Sequence, residues 1–94
     1  MKSVPHELLQ LVKQTAPPVA EVMPLPWTYE HETFNIAVVM PEPVARSTAR
    51  QIEARIIDAL IDYDTAHQTF TLCMVWNEKP PSQRPRLRKT APVG

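Results

Sequence analysis

Two apolar stretches flank a helix pattern, and their reading decides the fold. The first is Thr33-Phe34-Asn35-Ile36-Ala37-Val38-Val39-Met40, and the second is Thr69-Phe70-Thr71-Leu72-Cys73-Met74-Val75-Trp76-Asn77. Each is short, rich in β-branched and aromatic residues, and bounded by turn or polar residues, so each predicts a strand. Alternation puts Phe34, Ile36, Val38 and Met40 on one face of the first strand, with Asn35, Ala37 and Val39 on the other. In the second, Phe70, Leu72, Met74 and Trp76 share a face, and Thr71, Cys73, Val75 and Asn77 form a weakly polar second face.

Between them, Val44 to about Tyr63 predicts one long helix. Val44, Thr48, Ile52, Ile56, Ala59, Leu60 and Tyr63 recur on one stripe, widened by Ala45 and Ile57, and neither Gly nor Pro interrupts Val44–Thr65. Pro41-Glu42-Pro43 ends the first strand and sets Pro43 at the start of the helix. Asp64 and Thr65 mark its expected end. The order strand–helix–strand allows parallel neighbours joined by the helix, or a third strand lying between them.

Upstream, Leu8, Leu11 and Val12 share a face of a short N-terminal helix, with Ser3 as a cap, Pro5 in the first turn and Pro17-Pro18 as the stop. Pro17, Pro18, Pro24 and Pro26 exclude a helix or central strand over residues 17–32. Val19–Met23 can still serve as an edge strand, and Trp27 and Tyr29 are expected to fold back onto the body.

The expected architecture is therefore a small α/β domain, or a small α+β one: a strand–helix–strand core with one long helix on a small sheet. It occupies residues 1–78. Residues 79–94 read as a disordered, basic, Pro-rich C-terminal tail. All ten acidic residues of the chain fall within 1–78, against five of its ten basic ones, so the body carries −5 and the tail +5. The tail holds four prolines and only Leu87 and Val93 as large apolar residues, too little to offset its ordering entropy.

Composition narrows the function. No stretch is apolar over the ~20 residues that a membrane helix requires. One cysteine in 94 residues forms neither an internal disulfide nor a cysteine-based metal cluster. A cytoplasmic setting is the expectation, with no cofactor and no metal.

Arg46 and Arg50 sit at the start of the long helix, and Asp58 and Asp62 towards its end, the reverse of what the helix dipole favours. Arg46 and Arg50 are thus candidates for anion or partner binding, and so are Arg84, Arg86, Arg88 and Lys89 of the tail. The plainer reading pairs Arg46 and Arg50 with Glu42 or Glu53 on a solvated face. No Gly-rich loop precedes the helix, so a nucleotide cradle is not expected. Glu30, His31, Glu32, Asp64 and His67 are the only cluster of proton-transfer or metal-ligating types, and they lack a metal-site spacing. Cys73 has no basic neighbour to activate it. No catalytic residue is assigned.

A small parallel unit leaves two sheet edges and one sheet face to cover. Val39, Cys73, Val75 and Trp27 are accordingly candidate interface residues. The expected function is a non-enzymatic protein–protein interaction or assembly module acting as a homo-oligomer. The alternative is a nucleic-acid-associated protein whose basic tail contacts phosphates. That alternative is weakened by the acidic body and by the absence of aromatics among the tail's basic residues.

Overall fold

The computed structural model describes residues 3–29 and 31–83. Five elements follow one another: α1 (His6–Thr15), β1 (Glu21–Pro24), β2 (Phe34–Val39), α2 (Arg46–His67) and β3 (Thr71–Trp76). The sheet order is β1-β2-β3. β2 and β3 are parallel neighbours, with Ile36 opposite Cys73 and Val38 opposite Val75. β1 lies antiparallel on the other side of β2, with Met23 opposite Ala37. The long helix is thus the crossover between adjacent parallel strands, and the proline-flanked segment takes the edge.

Both helices pack on one sheet face. Leu8, Val12 and Ala16 of the α1 region and Ile56 and Leu60 of α2 close over Phe34, Ile36, Val38, Met40 and Cys73. Ile56 and Leu60 are essentially inaccessible, so truncating either to Ala is expected to cost about 2–5 kcal/mol. Residues 25–29 cover part of the opposite face, where Leu25, Trp27 and Ala37 are buried and Met23, Tyr29, Val39 and Trp76 pack around them.

This arrangement corrects one expectation. Val39 and Trp27 lie on the helix-free face, but Cys73 and Val75 belong to the helix-covered one. The four interface candidates therefore do not form one surface. Parallel pairing of Ile36 with Cys73 sets the pleat of β3, so Leu72, Met74 and Trp76 turn away from the helices.

Helix ends also differ from expectation. Pro5 occupies the N-cap position of α1, and no side chain caps it, so Ser3 does not serve as the cap. Two residues at the expected start of α2 remain outside it: the helix begins at Arg46, after the extended N-cap Ala45. At its other end α2 runs four residues past Tyr63. Gln68 adopts the left-handed conformation (φ 55°), and the N–H groups of Gln68 and Thr69 both donate to the Asp64 carbonyl. Asp64, expected as a turn residue, instead remains helical because its carboxylate has partners on β3.

Contact with the folded body continues beyond residue 78. Pro80 is buried, and the Trp27 indole N–H donates to the Pro81 carbonyl at 2.9 Å. Arg84, Arg86, Arg88 and Lys89 lie outside the described residues.

Candidate functional site

Both sheet edges are partly capped against strand addition. On β3, residues 70, 72, 74 and 76 face β2, as the bonds from Phe34 N–H to Phe70 O and from Met40 N–H to Trp76 O require. Thr71, Cys73 and Val75 therefore present their backbone outward. Asp64 accepts from the Thr71 N–H at 3.1 Å, and Glu53 accepts from the Val75 N–H at 2.9 Å. Two carboxylates of α2 thus occupy donors that a new strand would need. On β1, the Leu25 N–H to Asn35 O bond fixes the ladder so that Val22 and Pro24 point outward. Pro24 has no N–H to offer, and the strand is four residues long.

What remains open is side-chain surface. Ile57 is 43 %, Ile61 51 % and Phe70 56 % exposed. These three residues, with Leu72, line a shallow groove of about 230 Å³ where the outer flank of α2 meets the start of β3. Asp64 and Thr71 form its floor. The Asp64 carboxylate also accepts from the Thr69 hydroxyl at 2.7 Å and the Thr71 hydroxyl at 2.9 Å, so it is fully engaged in structure.

A second concavity, of about 380 Å³, opens between the end of β1 and the start of β2. Pro24, Leu25, Pro26 and Phe34 give it an apolar lining, and Asn35 reaches it from the centre of the sheet. Asn35 is 1 % exposed, and its Nδ2 has no hydrogen-bond partner among the described residues. The indole nitrogen of Trp76, on the same helix-free face, is likewise buried with no partner among the described residues.

The titratable candidates do not assemble into a reactive centre. Among the described residues, no group of three His, Cys, Asp or Glu side chains is placed to hold a metal ion. His67 stacks on Tyr63 with ring centroids 4.0 Å apart, and its Nδ1 lies 2.9 Å from the Tyr63 carbonyl. Glu32 accepts from the Tyr29 N–H, Asp64 serves the Thr69–Thr71 segment, and His31 stands in a turn with φ 75°. Glu30 lies outside the described residues. Burial, and to a lesser extent the nearby Glu53 carboxylate, together push the Cys73 thiol up to about 12. A thiol held that high is not a nucleophile at neutral pH.

Arg46 and Arg50 are exposed on the first two turns of α2, as expected. Glu53 is committed to Val75, which draws it to the sheet side of the helix. The sequence reading missed the roles of Glu53 and Asp64 as edge caps. The sequence shows only that the two acidic residues lie eleven apart on one helix stripe; which donors of β3 they meet is set by the strand register.

No helix among the described residues is long and apolar enough to cross a membrane. No protein-family model matches the chain, and neither a curated protein nor a solved structure matches it significantly.

Proposed function

We propose that this chain is a non-enzymatic interaction module that works as a homo-oligomer, with the outer flank of α2 and the start of β3 as its contact surface. The observation that supports this is the exposure of Ile57, Ile61 and Phe70 around one groove. Three large apolar side chains left about half exposed at one place forgo burial worth about 1 kcal/mol each, and such clusters mark association surfaces. Because carboxylates cap two donors of the β3 edge and Pro24 shortens the β1 edge, the contact is made by side chains rather than by an added strand.

Sedimentation velocity at micromolar concentration tests it. The expected result is a species of twice the chain mass, shifted to monomer by Ile61→Asp or Phe70→Asp while the far-UV spectrum is unchanged. A wild-type chain that remains monomeric up to about 100 µM is incompatible with the proposal.

The charge division of the sequence supports a second reading, in which the basic C-terminal segment binds phosphates. Its test is retention of nucleic acid at low salt, compared with a chain ending at Gln83. Cutting there, rather than after residue 78, preserves the Trp27–Pro81 bond, so any loss reports on the basic residues alone.

A further inference from the structure

Five residues of α2 stand exactly four apart: Arg46, Arg50, Ala54, Asp58 and Asp62. All five are exposed. They form a single i±4 ridge on the side of the helix away from Ile56 and Leu60. The order along the ridge is positive, positive, small, negative, negative, so the charge pattern inverts about Ala54.

For a lone helix this order is unfavourable in every respect. Arg46 with Arg50, and Asp58 with Asp62, are like-charge i,i+4 pairs. Arg46 also sits in the first turn, at the positive end of the helix dipole. The same order is self-complementary across a two-fold axis. Laid antiparallel to its own copy about Ala54, the ridge places Arg50 against Asp58 and Arg46 against Asp62, each pair occurring twice.

We propose that two copies of the chain associate through α2, crossing antiparallel at Ala54, with the two charge-inverted ridges alongside each other. Ala54 at the crossing permits close approach. Ile57 and Ile61, on the flank of the ridge nearest β3, are then covered by the partner helix, and the stems of Arg46 and Arg50 lie over them. Charge complementarity commits the occupant to a second copy: the surface fits itself better than it fits a uniformly basic or acidic partner.

This inference rests on the homo-oligomer reading and adds its geometry, so the experiment separates the two. In the full chain, Ala54→Cys is expected to form an intermolecular disulfide under mild oxidation, because a residue on the axis meets its own copy. Ala66→Cys, at the far end of the helix, is expected to remain unlinked. Cys73 does not interfere, being buried and held protonated. Arg50→Asp alone and Asp58→Arg alone are each expected to weaken dimerisation at least about tenfold, and the double variant to return it close to wild type. Arg50→Asp turns the like-charge Arg46–Arg50 pair of the monomer into an opposite-charge one, so its effect is not attributable to an unfolded helix. A dimer that persists without the Ala54→Cys crosslink, or without rescue in the double variant, overturns this geometry and leaves homo-oligomerisation standing. A wild-type monomer overturns both.

Discussion

Asp64 and Thr71 are joined twice: the carboxylate on the last turns of α2 accepts from both the backbone N–H and the hydroxyl of the first residue of β3. A third bond, from the Thr69 hydroxyl, ties the intervening turn to the same carboxylate. One side chain thus sets where the helix gives way to the strand and where the parallel strand begins. Its removal leaves the buried Thr71 without acceptors. Asp64→Ala is expected to destabilise the fold by about 3 kcal/mol, read as a lower urea midpoint, with Asp64→Asn intermediate. A midpoint unchanged in Asp64→Ala contradicts this role.

Glu53 holds the outward N–H of Val75. Glu53→Ala frees that donor and opens the C-terminal end of the β3 edge. Hydrogen exchange at Val75 is expected to quicken by more than about tenfold, and the variant to aggregate sooner on warming than wild type. Glu53→Gln retains an acceptor and is expected to lie near wild type. Equal exchange at Val75 in all three proteins counts against the cap.

The Cys73 thiol gives the protein an alkaline limit. Its pKa rises from the ordinary 9.0 to about 12 in the folded chain, chiefly through burial. Below pH 9 the thiol is neutral in both states and stability is unaffected. As pH rises from 9 towards 12, the unfolded thiol ionises and the folded one does not, so stability falls across that window. Cys73→Ala lacks this component. The difference between the two proteins should narrow as pH increases, measured by denaturant unfolding at pH 8 and pH 10.5. A difference independent of pH would falsify the assignment.

Asn35 is a buried amide whose Nδ2 has no partner among the described residues. Leu has nearly the same shape and no donor to desolvate. Asn35→Leu is therefore expected to stabilise the fold by about 1 kcal/mol, read as a higher melting temperature. A loss of stability instead indicates that Asn35 is satisfied in solution, by water in the pocket beside Pro24 and Phe34.

Much of the architecture was legible because it depends on local pattern. Phe34–Val39 and Thr71–Trp76 announce themselves by composition, and α2 by a stripe unbroken by Gly or Pro. The two faces of β3 were not legible. Leu72, Met74 and Trp76 outrank Thr71, Cys73 and Val75 in hydrophobicity, yet the smaller set faces the helices. Pairing register decides that question, and register is a relation between strands that neither strand carries alone. The end of α2 was missed for a similar reason: Asp64 favours a turn by itself but stays helical when Thr69 and Thr71 supply donors from further along the chain. Of the candidate site, the exposed Arg46 and Arg50 were readable from helical spacing. The exposed trio Ile57, Ile61 and Phe70 was not: helical spacing draws Ile57 into the buried stripe, and strand alternation puts Phe70 on one face with Leu72 without saying that it stays exposed.

The Trp27–Pro81 hydrogen bond has a practical corollary for labelling. It pins the outgoing chain against the side of the sheet that carries no helix, whereas the proposed contact lies on the outer side of α2. A fluorescent protein fused downstream of Gln83 therefore starts from the opposite side of the molecule and leaves that surface clear, so donor and acceptor fusions can report self-association by energy transfer without blocking it.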